Sequence, residues 1–422
     1  MKTTRLGLLG LGTVGSGLVD LLEKGSASLC HRLDTKISVV RALVRDGTRP
    51  RRLPASMVTT DPAAVIETDD VDMVVELMGG IEPARSYILR ALAAGKPVVT
   101  ANKAVLAQHG AELLAASHFA GRPIGFEASV CGGIPLLRAI STGLIADEVE
   151  QMVGILNGTS NFILSKMHRD GLDYASAVAL AQERGLAEAD PTLDVNGSDA
   201  AHKLILLSEL MFQTAVGFDQ IEREGIESIE PIDIQTADDF GYVIKPVAVA
   251  KRVADALDLR VHPALVPYTH VLGPVSDEYN AVLLRGDATG ETLFYGRGAG
   301  SLPTASAVLG DIVELVRHPD WRIPWDPAKS TRVRHVPGES RFYLRFPVDD
   351  RPGLIGKVAT ALGDRGVSIS HAQARLIAEE GAAGNLTILT HATSEPVVSE
   401  VLHGLEADGA IRAPALSLRI LD

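Results

Sequence analysis

The sequence predicts an α/β chain, with a parallel, doubly wound sheet at its N-terminal end and a smaller βαββαβ unit at its C-terminal end. Three observations predict this. Short apolar runs alternate with helical periodicities over residues 5–100, the order that builds a parallel sheet covered by helices. The glycine-spaced GLGTVG, Gly10 to Gly15, falls between the first apolar run and the first helix. Far downstream, Phe342, Leu344, Phe346 and Val348 alternate as in a half-buried strand, and the elements after them complete the ferredoxin-like order.

Each element has a local reason. Residues 5–10 read as the first strand, and Val14, Leu18, Val19, Leu21 and Leu22 then recur at helical spacing until Lys24 and Gly25 close the helix. Further strands are expected over 37–44, over 71–78 ending in Gly79-Gly80, and over 97–100. A helix over 83–94 has Pro83 near its start and Gly95 just beyond it. The run 124–130 is expected to close the first domain, and Cys131, Gly132, Gly133 and Pro135 turn the chain sharply. Residues 318–338, with Pro319, Pro324, Pro327, Pro337 and both tryptophans, Trp321 and Trp325, read as a packed linker. In the tail, a turn at Asp349-Asp350-Arg351-Pro352-Gly353 precedes a helix over 354–365, strands over 367–374 and 385–392, a helix over 396–408 and a last strand over 416–420.

Length and charge narrow the function. At about 150 residues per domain, 422 residues give two or three domains. The 40 Lys+Arg against 53 Asp+Glu leave a net charge of −13, which repels nucleic acid and anionic bilayers. No apolar run reaches the roughly 18 residues of a spanning helix. Glycines interrupt the N-terminal apolar run and no small-residue cleavage site follows, which argues against a signal peptide. Cys30 and Cys131 make neither a disulfide framework nor a paired zinc motif, so a cytosolic setting is expected.

Between a strand and a helix, GLGTVG points to a dinucleotide site. Gly10 permits the tight turn, Gly12 lets backbone approach a pyrophosphate, and Gly15 lets helix pack on strand. The second strand ends Val44-Arg45-Asp46, with Arg49, Arg51 and Arg52 behind it. Arginine here suits a 2′-phosphate and favours NADP, while Asp46 keeps NAD open as the alternative. The further alternative is a solvated basic loop.

The stretch AEADPTLDVNGSDAAHKLILLSELM, residues 187–211, carries most of the chemistry. Its first part is a loop with Glu188, Asp190 and Asp194. After Ser198 a helix begins, with Ala201, Leu204, Ile205, Leu207 and Leu210 on one apolar face. Asp199 and Lys203 are i and i+4 on that helix, so their side chains meet. Alone, such a pair is usually a solvated surface contact. Beside a nucleotide site, and with Lys103 at the carboxyl end of another strand, it reads as acid–base machinery. Cys131 reads as a nucleophile or, as free cysteines more often are, a small buried hydrophobe.

The runs EASVCGGIP (127–135), GILNGTSNFIL (154–164), AEADPTLDVNGSDAAHK (187–203) and GAGSLPTASAV (298–308), four motifs in order, closely resemble homoserine dehydrogenase. DRPGLIGKVATALGDRGVSIS (350–370) resembles the ACT regulatory domain. The resemblance implies a Rossmann-like nucleotide domain over 1–133, an α+β substrate and dimerisation domain over 134–302, a returning helix (304–317) with linker over 303–340, and a ferredoxin-like ACT domain over 341–422. It implies NAD(P)-dependent interconversion of L-homoserine and L-aspartate 4-semialdehyde in threonine and methionine biosynthesis.

By the same resemblance Lys203 donates and accepts the proton, Lys103 partners it at the reacting oxygen, and Asp199 orients them. Glu188 and Asp194 would hold the substrate ammonium, with Thr159 near its carboxylate. Gly10, Gly12, Thr13, Val14, Gly15, Arg45, Lys103 and Gly298 would meet the cofactor. A sodium or potassium ion would sit on the backbone carbonyls of Glu127, Val130, Gly132 and Ile134. Asp350, Pro352 and Gly353 would form the effector turn, for which L-threonine is the expected ligand, in a homodimer or homotetramer; the alternative is a purely structural role for the tail. Ending the chain near Pro337 is expected to abolish threonine inhibition and spare basal turnover. The sequence departs from the family pattern at Ser160, where many members have threonine, and at Cys131, where Ala or Gly is usual. Two rival functions remain at this level, an NADP-binding sensor without catalysis and an amino-acid dehydrogenase acting on a C–N bond.

Overall fold

The computed structural model of the protein describes residues 2–322, 332–334, 336, 338–349, 351–375, 383–412 and 414–421. The chain forms two compact units. The first comprises Met1–Met152, Asp199–Gln220 and Glu278–Arg332, and the second Val153–Ser198, Ile221–Asp277 and Val333–Asp422.

In the first unit, β1 (Lys2–Leu9), α1 (Thr13–Leu33), β2 (Thr35–Leu43), β3 (Val58–Thr59), β4 (Met73–Glu76), α2 (Ala84–Ala93), β5 (Val98–Thr100), α3 (Lys103–Ala120) and β6 (Ile124–Gly125) follow one another. Their strands pair in parallel in the order β3-β2-β1-β4-β5-β6. The order reverses at β1, whose last residue, Leu9, lies opposite Leu43 on one side and Glu76 on the other. Ligands of open α/β sheets bind beyond the carboxyl ends at such a reversal, where Gly10 leaves the sheet.

Two expectations need correction. Gly25 does not end α1, which runs on to Leu33 with left-handed Asp34 as its cap (φ 48°). Leu29 and Leu33 pack on the same core as Leu18 and Leu22, and that burial outweighs the roughly 1 kcal/mol a mid-helix glycine costs. The run 124–130 yields only a two-residue strand and then a 3₁₀ turn at Glu127–Ser129, because the Glu127 N–H leaves the ladder to donate to Asp311 Oδ2 at 2.8 Å. The helix Ser301–Arg317 buries Ala305, Val308, Ile312 and Leu315 in the core that holds Leu6, Leu8 and Val75, and Trp321 packs at its edge. Trp325 lies outside the described residues.

In the second unit, Tyr242–Val253 and Ala256–Pro267 form a long antiparallel hairpin. The tail folds as βαββαβ, its strands ordered Leu416–Ile420, Glu339–Asp349, Ala383–Thr390, Ile369–Arg375. The alternating residues Phe342, Leu344, Phe346 and Val348 pack on Val358, Leu362, Val398 and Leu405 of the tail's own helices. The opposite face is also buried: Tyr343, Leu389, Leu418 and Ile420 join a core with Phe162, Ile234, Ile244 and Leu265. Arg419 and Ile420 pair in parallel with Ala264 and Leu265 of the hairpin. Tyr343 and Arg345 both donate to the fully buried Asp233 carboxylate, each at 2.7 Å. Ending the chain near Pro337 would therefore strip from this unit a strand paired with the hairpin and the buried side chains of Tyr343, Leu389, Leu418 and Ile420, so survival of basal turnover does not follow from this architecture. Asp350 lies outside the described residues.

Candidate active site

The glycine loop is built for close approach. At Gly10 (φ 102°) a Cβ would stand 2.8 Å from the Leu77 carbonyl oxygen, and at Gly15 one would stand 2.8 Å from that of Gly10. Gly12 faces open space, and α1 begins at Thr13 and Val14 with no side chain capping it. Its first N–H groups are thus offered to an anion. A cleft of about 820 Å³ opens there, lined by Gly10 and Gly12, by Arg45, Asp46, Arg49 and Arg51 on the β2 side, and by Gly79, Gly80 and Tyr87 on the β4 side.

The charges in this cleft are unevenly committed. Asp46 accepts from the Thr48 hydroxyl at 2.6 Å and its N–H at 2.9 Å and pairs with Arg49 at 3.2 Å, which together hold its carboxyl below the usual range. Arg52 is taken by Asp20 at 3.1 Å. Arg51 donates to the Leu11 carbonyl at 2.9 Å, yet its Nε is buried without a partner among the described residues. Arg45 is exposed on the rim. A cradle that only glycine can form and an orphaned guanidinium N–H both fit a dinucleotide phosphate. Gly298 does not line this cleft. It packs against Asn280, where an added Cβ would come within 2.2 Å, and its carbonyl faces Gly132.

Lys103 is the first residue of α3. Asn102 caps that helix by accepting from Val105 N–H at 3.3 Å and donates its amide to the Gly80 carbonyl at 2.7 Å. The Asn102 N–H donates to Thr100 Oγ1 at 3.0 Å, and that hydroxyl donates to Glu76 Oε2 at 2.6 Å. Glu76 is fully buried, accepts from Met78 N–H at 2.7 Å, and is pushed up from the ordinary carboxylate range by burial. Glu76, Thr100 and Asn102 thus fix both the Gly79-Gly80 loop and the start of α3. The sequence reading missed them, although all three sit where strands end.

Lys103 and Lys203 meet on one carboxylate. Lys203 Nζ donates to Asp199 Oδ2 at 2.8 Å, and Lys103 Nζ pairs with Asp199 Oδ1. Asp199 and Lys203 are buried, while the Lys103 side chain is 40% exposed. Burial alone would raise the Asp199 pKa; the two ammonium groups, Lys203 first, overrule it and hold the carboxyl far below its usual range. Cys131, in a left-handed conformation (φ 52°), is buried and accepts from Asn280 Nδ2 at 3.6 Å. Burial raises its pKa, so it is a protonated, structural thiol rather than a nucleophile.

At the sharp turn, Cys131 and Gly132 are both left-handed. The carbonyls of Glu127 and Ile134 accept from Val130 N–H at 3.3 Å and Leu136 N–H at 2.8 Å. Those of Val130 and Gly132 accept no hydrogen bond among the described residues, so half of the expected oxygen set is open to a hard cation. The Glu127 side chain instead accepts from Leu137 and Arg138 N–H at 2.8 and 2.9 Å. Beneath it, Asp311 is pushed up to about 7 by burial and by the Glu127 charge, against its 2.9 Å contact with Arg138.

In the second unit, Asn157 caps the helix Gly158–Asp170 and donates to Asp194 Oδ1 at 2.8 Å. Ser160 Oγ donates to the Asp194 carbonyl at 2.9 Å, and Thr159 Oγ1 to that of Leu186 at 2.9 Å. Threonine's extra methyl is not needed for the Ser160 contact. Asp190 is spent on Thr192, accepting its N–H at 3.1 Å, and Glu188 is exposed. Asn157 was a second omission of the sequence reading. Among the described residues no cluster of His, Cys, Asp and Glu could hold a metal, and no helix is long and apolar enough to cross a membrane.

Known proteins match along the whole chain. The homoserine dehydrogenase NAD-binding domain model matches residues 10–127, the homoserine dehydrogenase model residues 135–313, and the ACT domain model residues 342–404. The chain is 41% identical to homoserine dehydrogenase of Synechocystis over 99% of its length and 100% of that protein's. It is 38% identical to that of Pseudomonas aeruginosa over 100% and 99%. The crystal structure of a homoserine dehydrogenase from Thiobacillus denitrificans superposes with a TM-score of 0.90 at 39% identity, covering 100% of this chain and 99% of that one. With a nucleotide cleft at the sheet's reversal and two lysines on one buried aspartate, the chain belongs to the homoserine dehydrogenase family, NAD(P)-dependent oxidoreductases carrying here a C-terminal ACT domain.

Proposed function

We propose that Lys203, Lys103 and Asp199 carry the proton chemistry between L-homoserine and L-aspartate 4-semialdehyde, with NADP as the preferred cofactor. When bound, the nicotinamide ring supplies or removes the hydride. In the oxidising direction Lys203, having lost its proton, takes the proton of the substrate hydroxyl; in the reducing direction it returns one to the aldehyde oxygen. Lys103 holds the same oxygen, and Asp199 keeps both amines facing it. The observation that carries this reading is the shared carboxylate, with one oxygen for each lysine.

The remaining assignments are proposed on the family's pattern. Glu188 and Asp194 hold the substrate ammonium and Thr159 its carboxylate. Gly10, Gly12, Thr13, Val14, Gly15, Lys103 and Gly298 serve the nucleotide, and Arg45 the 2′-phosphate, with Arg51 added by its unpartnered Nε. The carbonyls of Glu127, Val130, Gly132 and Ile134 hold sodium or potassium, a structural charge with no step of its own. The functional division is 1–133, 134–302, 303–340 and 341–422, in a homodimer or homotetramer of the cytosol serving threonine and methionine synthesis.

The tail is proposed to bind L-threonine at the turn of Asp350, Pro352 and Gly353, where Gly353 (φ 86°) opens the helix Leu354–Gly363 without a side-chain cap. What supports a regulatory role is its connection to the loop of Asp194. Arg419, on the last strand, pairs with Glu395, with Glu222 at 3.7 Å and with Glu224 at 3.7 Å. Two residues on from Glu224, Ile226 N–H donates to the Val195 carbonyl at 2.9 Å. Steady-state rates with homoserine and either NADP or NAD, with and without L-threonine, test the substrate, the cofactor and the effector together. Turnover that requires ammonia in the reducing direction would move the enzyme to C–N chemistry.

A further inference from the structure

The second unit holds a cavity that none of these roles uses. It is a half-open pocket of about 270 Å³ lined by Lys245, Ser276, His168, Arg169, Tyr268 and Ser165 among others. Lys245, on the hairpin strand Tyr242–Val253, is only 3% exposed. An ammonium has three N–H donors, and among the described residues Lys245 has one acceptor, the Val275 carbonyl, which also receives the Asn161 amide at 3.4 Å.

The carboxylates nearby are already engaged. Asp277 takes Arg169 in a two-point contact, at 3.0 Å from Nη1, and its N–H donates to Ser165 Oγ at 3.0 Å. Ser165 in turn spends its hydroxyl hydrogen on the Asn161 carbonyl at 2.6 Å. Asp238 takes the Tyr268 hydroxyl, which also faces His168 Nε2 at 3.4 Å. Both carboxylates beside the pocket are thus engaged by other groups, and Lys245 has neither of them as a hydrogen-bonded partner among the described residues. Burial first, with Arg169 adding to it against Asp277, lowers the Lys245 pKa to about 8, as expected of an amine whose positive charge lacks a full counterpart.

We propose that this cavity binds a small carboxylate anion, which takes its charge-assisted hydrogen bonds from the free Lys245 N–H groups and the Ser276 hydroxyl. A cavity of this volume takes a carboxylic acid of a few carbons rather than a nucleotide. The site is separate in its residues from Lys203, Lys103 and Asp199 and stands whether or not they perform the proposed chemistry.

The test titrates sodium acetate into the full-length protein saturated with NADP, against the variants Lys245→Met and Ser276→Ala, with circular dichroism confirming the fold. Acetate is expected to bind the wild type, to lose about tenfold or more in affinity in Lys245→Met, and to weaken less in Ser276→Ala. Crystals grown in bromide are expected to show an anomalous peak in contact with Lys245 Nζ, absent in Lys245→Met. Equal acetate affinity in wild type and Lys245→Met overturns the site. Acetate, chloride and phosphate binding alike and only at high concentration marks an adventitious ion only, and overturns the carboxylate class. If Lys245→Met does not fold, Arg169→Gln and Ser276→Ala decide the matter, and wild-type affinity in both overturns the proposal.

Discussion

Lys203 donates to Asp199 Oδ2 at 2.8 Å while the other oxygen of that carboxylate faces Lys103, a residue that precedes it by nearly a hundred positions. Two buried or half-buried ammonium groups this close repel one another, and one aspartate between them makes the cluster affordable. Asp199→Asn removes the compensating charge and leaves both amines. Oxidation of homoserine is then expected to reach its alkaline plateau at lower pH than in the wild type, with kcat reduced. A pH profile of kcat for both proteins checks this; superimposable limbs would separate Asp199 from the proton chemistry.

The cofactor preference rests on guanidinium groups. Arg45→Ala and Arg51→Ala are each expected to lower kcat/KM with NADP by about 10- to 100-fold, the range for one lost hydrogen bond to a charged group, and to change NAD kinetics little. Parallel losses with both cofactors would assign these arginines to the shared part of the nucleotide.

Glu76 acts on Lys103 through Thr100 and Asn102. Glu76→Gln replaces an acceptor by a donor in a fully buried site and is expected to cost about 1–3 kcal/mol of stability. The KM for the nucleotide should rise with it, since the same contacts hold Gly80. Urea unfolding and nucleotide KM, measured on one preparation, test both effects.

Asp311 makes stability depend on pH with a defined sign. Its folded pKa, about 7, lies above the ordinary 3.8, so between these values the folded chain keeps a proton that the unfolded chain has lost. Its contribution to stability therefore falls as pH rises from about 4 to about 7 and is level above that. In Asp311→Asn this component is absent, so the stability of the variant relative to wild type should improve over that window. Urea midpoints at pH 5, 6 and 7.5 measure it; a constant difference would mean Asp311 titrates normally.

The tail is held by a buried ion pair. Arg345→Met leaves the Asp233 carboxylate with Tyr343 and the Glu230 N–H but without its cation, a loss of about 3–5 kcal/mol. Regulation is better tested by Gly353→Val, which strains a left-handed residue at the turn and touches no core. L-threonine inhibition should weaken with basal kcat unchanged, and undiminished inhibition would place the effector elsewhere.

Much of this was legible in the residues themselves. GLGTVG between a strand and a helix located the cleft, and the i, i+4 spacing put Asp199 beneath Lys203 without any knowledge of the fold. The alternation from Phe342 exposed the tail's inner face. It hid the outer one, because Tyr343 and Arg345 look solvated until Asp233, more than a hundred residues earlier, is seen to receive them. Glu76, Asn102 and Asn157 escaped for a related reason, since each acts through a hydrogen bond whose partner is set by tertiary packing. Gly25 misled because a helix-ending residue was outweighed by Leu29 and Leu33 on the core side.

The most direct test of the account is kcat for homoserine oxidation in Lys203→Ala, with circular dichroism and nucleotide binding confirming an intact protein. Loss of a positioned acid–base group predicts a fall of about 100-fold or more, with nucleotide affinity retained. Turnover within about twofold of wild type at saturating homoserine, far short of what removing a general base costs, would contradict it.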